Sequence, residues 1–425
     1  MNSAGLSSWK VVEDDRPLRC SPNHSLEENL LQDGARFTVG YDRGFELGQH
    51  SRRILRVEEA GPTSPAAMDP RIWGNLPVHI LESILAWLPV STLLKLRCVC
   101  KRFNNILHSP TLRATLRRIN RPRSVQAWYL FRGEGRECAA FNPEADSWCK
   151  LPLQALNLPS SATGIRVVAA AGGLLCLRQG ERMIVCNPLS KAWRELPPRQ
   201  NTWKFPIVGM VMDTEIEEYV VVMAGSANPN TNGKKHDRLV TEVYSSRSKT
   251  WKSIEEDYPA QHLYQTNAVH CNGFLFSAGF ESILAYNLEQ ERWRELKGPA
   301  MQDAQLMLPQ ICECNGCLLM VEVASEHWLM TRVSIWALQQ QNNRWINLAS
   351  MPQQILEEVI SIAGTRLFTY YGYGDLVCFT IARRRVLVFS MSRRRWRWLP
   401  RCPFVRGFAR RCTALAYEPR VEAVV

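Results

Sequence analysis

Apolar positions along this chain follow two periods, and the change from one to the other divides it. Over residues 72–118 they recur at helical spacings. Ile80, Leu81, Ile84, Leu85 and Leu88 share one face. Pro77 suits the first turn of that helix and Pro89 ends it. Ser91 can cap a second helix carrying Leu93, Leu94, Leu96 and Val99, and Ser109-Pro110 has the form of a further helix start. A cluster of short helices this small buries little core of its own. Its apolar face therefore either packs on the next domain or receives a partner.

Beyond about residue 120 the pattern becomes short apolar runs broken by Gly, Pro and Asn, which reads as all-β. A repeat runs through it. Trp followed three positions later by Leu or Ile recurs at Trp148, Trp193, Trp251, Trp293, Trp345 and Trp396. Seven residues before the Trp stands Phe141, Cys186, Tyr244, Tyr286 or Phe389. In the fifth copy Trp336 stands nine before, which suggests a two-residue turn insertion. Earlier in each unit a small-residue turn feeds an apolar strand, as at Gly172-Gly173, Asn272-Gly273, Asn315-Gly316 and Gly364.

Four-stranded units of this length, packed radially, form a propeller. The predicted fold is mainly β: a six-bladed β-propeller preceded by a small all-α domain. The first unit lacks an innermost strand, and one unpaired apolar strand, Cys412–Tyr417, follows the sixth Trp. It is predicted to complete blade one and close the ring, removing an exposed edge. Residues 1–67 lack sustained periodicity and end in a Gly/Pro/Ser/Ala-rich stretch, so they read as a disordered N-terminal arm and linker. The expected organisation is arm 1–67, helical domain 68–118 and propeller 119–425, closed by 412–417.

Composition narrows the function classes. The N-terminus has no apolar run behind a positive start, so no secretory signal is read, and Val167–Leu177 is too short for a membrane span. Reduced thiols are expected, and Cys98, Cys176 and Cys378 sit in apolar runs as small buried hydrophobes. The net charge is +12, yet residues 376–417 contain eleven Arg and no Asp, Glu or Lys. The rest of the chain is near balance, so a local arginine-rich stretch replaces any general positive field.

The string LPVHILESILAWLPVSTLLKLRCVCKRFNNIL resembles an F-box, with Phe103 where Trp is commoner. An F-box followed by Trp-marked, kelch-like blades is similar to plant F-box/kelch-repeat proteins. The lead-in MDPRIWGNLP resembles the "F-box only, type six" or leaf-curling-responsiveness subgroup. The resemblance implies docking on a Skp-type adaptor, and through it on cullin and a RING subunit. The residues that carry over are Leu76, Pro77, Ile80, Ile84, Leu85, Leu88, Pro89, Leu93, Leu96, Val99, Cys100 and Phe103. Leu81, Leu94 and Ile106 read instead as internal core.

Blades differ most in the connection between their second and third strands, strands b and c: Ser226–Arg238, about Ala324–Met330, and about Gly372–Arg384. Insertions on one face of a repeat array mark a binding face. The links between blades emerge there too, so the substrate rim is expected to include Trp203, Tyr258, Tyr264, His327, Trp328, Tyr373, Arg384 and Arg410. Arg383–Arg385 and Arg393–Arg395 flank one strand and should emerge on opposite faces, which weakens a nucleic-acid reading.

Cys312, Cys314 and Cys317 lack the second Cys pair or His pair of a zinc site, and no catalytic motif is evident. No metal or cofactor, no direct nucleic acid and no membrane are expected. The reading is a non-catalytic substrate-recognition subunit of a Skp–cullin–F-box (SCF) ubiquitin ligase, in nucleus and/or cytoplasm, holding an unidentified protein for degradation. The alternatives are a propeller enzyme with a helical docking module and a non-degradative nuclear co-regulator.

Overall fold

The computed structural model describes residues 71, 75–120, 127–132, 138–151, 153–156, 165–203, 206–227, 238–259, 268–279, 282–299, 310–326, 329–339, 341–363, 369–381, 385–404 and 413–425. The expected arm, 1–67, lies outside them. The chain divides into two units, Met1–Asn75 and Leu76–Val425. In the first, Asn75 Nδ2 donates to the Arg71 carbonyl at 3.0 Å.

Four short helices open the second unit: α1 (Val78–Leu85), α2 (Val90–Leu96), α3 (Lys101–Leu107) and α4 (Pro110–Asn120). Pro77 and Pro89 are the N-caps of α1 and α2, with extended ψ of 143° at both. Ser91, expected as a cap, is inside α2: the proline ahead of it already fixes the start. Leu81, Leu85, Leu93, Ile106, Leu107, Leu112 and Leu116 form the small core. Glu82 is buried too, and its Oε1 accepts hydrogen bonds from the hydroxyls of Ser109 and Thr111 at the start of α4. The carboxylate thereby ties α1 to the positive end of α4.

Six four-stranded antiparallel sheets follow. Blade 2 is β4 (Arg166–Ala171), β5 (Leu174–Gln179), β6 (Arg182–Asn187) and β7 (Ala192–Glu195). Blade 3 is β8 (Ile207–Asp213), β9 (Glu218–Ser226), β10 (Arg238–Ser245) and β11 (Thr250–Pro259). Blade 4 is β12 (Val269–Cys271), β13 (Phe274–Ala278), β14 (Ser282–Asn287) and β15 (Arg292–Lys297). Blade 5 is β16 (Gln310–Cys314), β17 (Cys317–Glu326), β18 (Leu329–Gln339) and β19 (Arg344–Ser350). Blade 6 is β20 (Thr369–Tyr373), β21 (Leu376–Ile381), β22 (Arg385–Ser390) and β23 (Arg395–Trp398).

Blade 1 joins the two ends of the domain. β1 (Trp128–Arg132), β2 (Cys138–Asn142) and β3 (Ser147–Lys150) are completed by β24 (Thr413–Tyr417). β24 runs antiparallel to β1, from Trp128 opposite Tyr417 to Arg132 opposite Thr413. The first strands touch in a closed cycle, β4–β8–β12–β16–β20–β24 and back to β4. The ring is therefore shut by the C-terminal strand, as the unpaired apolar run predicted.

The marker tryptophans hold the blades in register. Each faces the residue seven before it across the outer hairpin: Phe141, Cys186, Tyr244, Tyr286, Leu338 and Phe389. The fifth copy corrects the expectation, since Leu338 occupies the position and Trp336 faces Asn347. The turn there has no insertion; an aliphatic residue fills the site where an aromatic was sought. The spacing is constant because the residue two before every Trp is left-handed: Asp146, Lys191, Lys249, Glu291, Asn343 and Arg394 have φ between 44° and 63°. Indole N–H groups then reach the preceding blade. Trp148 donates to the Pro400 carbonyl at 2.7 Å, Trp251 to Pro197 at 2.8 Å and Trp345 to Lys297 at 3.0 Å. Each acceptor lies four residues after the previous marker.

Blade 6 departs from the sequence reading. Gly364 is expected at its inner turn and Gly372–Arg384 as its outer connection. Instead a helix, α5 (Gln353–Ala363), precedes the blade, and Gly374-Asp375 is the turn between its first two strands. Ile355, Leu356, Val359 and Ile360 have helical spacing, and Leu356 and Val359 are buried on blades 5 and 6.

In each blade the first-to-second and third-to-fourth strand turns lie on one face of the disc, and the remaining connections on the other. The helices bond to the first face. Arg97 Nη1 donates to the Leu189 carbonyl at 2.9 Å, in the outer turn of blade 2, and Arg117 pairs with Glu217 of the inner turn of blade 3 at 2.8 Å.

Candidate functional site

Helix α1 is apolar on two sides. Leu81 and Leu85 point into the helical core, while Val78, Ile80 and Ile84 are exposed and Trp87, just beyond, is 62% exposed. Ile80, Ile84 and Trp87 stand at steps of four and three, so they form one ridge. Val99 adds a 64% exposed side chain between exposed Cys98 and Cys100. Among the described residues eight large apolar side chains are exposed, and five of them are in this helical segment. A contiguous apolar patch of this kind marks a contact surface.

The structure sorts the twelve predicted adaptor residues. Pro77, Ile80, Ile84, Pro89, Val99 and Cys100 are exposed, and Leu76, Leu88, Leu96 and Phe103 are half-buried. Leu85 and Leu93 are buried and belong to the core: Leu85 stands one turn from Leu81 on α1, and Leu93 is the buried position of α2. Cys98, expected inside, is exposed, whereas Cys176 and Cys378 are buried. Sequence reasoning missed Val78 and Trp87. The signal for Trp87 was present as the next position of the Ile80–Ile84 row.

The propeller axis is a cavity of about 1320 Å³, lined by the first strands of all six blades. Its wall is mainly Ala, Val, Met and Gly, with His270, Glu313, Tyr371 and Glu418 among its titratable groups. Glu313 Oε1 accepts the Gly316 N–H at 2.6 Å, closing the Asn315-Gly316 turn. Desolvation nevertheless holds its carboxyl above the ordinary range, and repulsion from Glu418 adds to this. A raised folded-state pKa stabilises below the unfolded value and is lost as pH rises through the folded one. Thermal melts of E313Q should therefore gain on the parent as pH climbs from about 4 to 7. A difference that is flat with pH would contradict the burial of that charge.

On the opposite face from the helices, Trp203 corrects the predicted substrate rim. It is 3% exposed, its indole donates to the Ser226 carbonyl at 2.8 Å, and its ring covers Gly225. A Cβ at Gly225 would meet Trp203 Cγ at 2.5 Å. The aromatic is thus a packing group, held by the link that Glu242 organises. That buried carboxylate accepts the Gln200 and Asn201 N–H groups at 3.0 and 2.9 Å, with Arg199 Nη1 3.7 Å away. Tyr373 ends β20 opposite Leu376 at the inner turn, on the face bearing the helices, because blade 6 is shifted by one strand from its expected register. Tyr258 lies near the end of β11. Tyr264, His327, Trp328, Arg384 and Arg410 lie outside the described residues. Arg385 is engaged by α5: it stacks 4.1 Å over Trp398 and pairs with Glu358 at 3.3 Å.

No helix among the described residues is long and apolar enough to cross a membrane. Two family profiles match the chain: an F-box domain over residues 73–115 and an F-box associated beta propeller domain over residues 129–397. Similar curated proteins come from Arabidopsis thaliana. An F-box/kelch-repeat protein is 24% identical over 81% of this chain and 87% of its own length. Protein UNUSUAL FLORAL ORGANS is 26% identical over 79% of this chain and 80% of its own. F-box only protein 6 is 25% identical over 80% and 72%. The profile that fits the blades is that of the F-box associated beta propeller domain. With a two-sided apolar helix in front and a ring closed by its last strand behind, this chain belongs to the F-box proteins that carry an F-box associated beta propeller.

Proposed function

We propose that the chain is the substrate-recognition subunit of an SCF-type ubiquitin ligase. The observation that carries this reading is the exposed ridge Ile80–Ile84–Trp87 with Val99, on helices inside the F-box match. A Skp-type adaptor would cover it by helix-in-groove contact. Cullin and a RING subunit would follow through the adaptor. The chain itself performs no chemistry in this reading. It holds a protein so that a target lysine meets the ubiquitin-loaded enzyme at high effective concentration.

The face away from the helices, bearing α5 and the second-to-third strand connections, is the side we assign to that protein. The helices bond to turns on the other face, so adaptor and target would approach from opposite sides. The test compares proteins captured by the full chain and by an adaptor-face variant, with and without proteasome inhibition. Targets that co-purify with both and accumulate only when the adaptor face is lost support the reading. Capture of adaptor and cullin without any protein changing in abundance would overturn the degradative part.

A further inference from the structure

A radial groove leaves the channel between blades 6 and 1, on the face carrying the helices. Val388, Ser390, Arg393, Arg395 and Arg397 line its blade 6 side, and Pro143 of blade 1 lies opposite. β23 reads Arg-Trp-Arg-Trp. Alternation turns Trp396 and Trp398 into the core shared with blade 5 and α5, which leaves Arg395 and Arg397 on the groove side. Arg395 and Arg397, two apart on β23, stand roughly 6–7 Å from each other on one side of the strand, and Arg393 precedes them in the turn that left-handed Arg394 closes. β23 is also the outermost strand of its sheet, bonded on one edge only.

The charges along this row are unequally used. Arg397 pairs with Asp146 of blade 1 at 2.8 Å. Arg394 turns away to the Leu348 carbonyl at 2.6 Å. Asp375 spends its carboxylate on Ser390 Oγ at 2.6 Å and on Ser392 N–H and Oγ at 2.8 Å each. Arg393 and Arg395 are exposed, and no carboxylate among the described residues pairs with either.

We propose that this groove binds an acidic protein segment in extended form, with its carboxylates meeting Arg395 on β23 and Arg393 in the turn before it. A nucleic acid fits less well. The row is short, Glu313, Glu418 and Asp375 stand at its channel end, and Trp398 is taken up by Glu358 and Arg385. The helices bond to turns of blades 2 and 3, so this segment would bind without displacing them. The site is independent of the adaptor ridge and of the target face proposed above.

The experiment is fluorescence anisotropy on the full chain with a labelled alternating Glu-Ser peptide, a Gln-Ser control and a single-stranded oligouridylate. The expected result is saturable binding of the acidic peptide alone, weakening as salt rises, and reduced by about tenfold or more in R393E/R395E. R393Q/R395Q should fall between, and unchanged thermal melts would show that both variants fold. No saturable binding of the acidic peptide, or equal binding by R393E/R395E, would overturn the proposal. Tighter binding of the oligouridylate, lost in the same variant, would overturn it in favour of nucleic acid.

Discussion

Changing Ile80, Ile84 and Trp87 together to Asp abolishes capture of a Skp-type adaptor while the propeller keeps its thermal transition. The three side chains are exposed, so their removal opens no cavity. Each apolar anchor buried in a complex contributes roughly 1.5–3 kcal/mol, and each 1.4 kcal/mol is about tenfold in affinity. Losing three, with charge introduced into an apolar contact, exceeds several powers of ten. The neighbouring substitution separates contact from core. Leu81 is fully buried, so L81A leaves a cavity costing roughly 2–5 kcal/mol and loosens the helices themselves. Co-purification read beside calorimetry distinguishes the two. Adaptor binding that survives the triple substitution would mean that the ridge is not the contact.

Removing residues 413–425 should leave no soluble, cooperatively melting monomer. The deletion strips β1 of its inner partner and loses the buried side chains Leu415, Tyr417 and Val421. It also orphans Asn187, whose buried Nδ2 donates to the carbonyls of Arg420 and Ala423 at 2.9 Å each. Three apolar side chains at roughly 1.5–3 kcal/mol each and an unsatisfied amide at about 1–3 kcal/mol match the whole stability of a typical domain, about 5–15 kcal/mol. N187A removes these bonds from the other side, together with the Oδ1 that accepts the Leu189 and Ser190 N–H groups, and should lower stability by about 1–3 kcal/mol or more. A truncated chain that melts with the parent would show that the ring does not depend on its closing strand.

Blade count, closure and the helical module were legible because each rests on a repeated local pattern. Trp at a constant distance from its hairpin partner follows from one left-handed residue per turn, and the leftover strand at 412–417 had a single vacancy to fill. The pattern is thinnest in blade 6, where Gly364 resembles the other inner-turn glycines while Ile355, Leu356 and Val359 are helical in spacing. The contact face was half legible. A helix that is apolar on two sides looks the same from sequence whether a residue faces inward or outward, so Leu85 is separated from Ile80 and Ile84 only by the packing of α4 against α1. Trp203 shows the converse error. An aromatic in a connecting segment reads as exposed, but a glycine in β9 leaves the space that its ring fills.

Hydrogen exchange on the full chain, free and mixed with a Skp-type adaptor, tests the central claim most directly. Slowed exchange is expected across α1, α2 and the segment around Val99, with the propeller strands unchanged. Slowed exchange on the blades with none on those helices, or no change anywhere under conditions where the adaptor co-elutes, would contradict it.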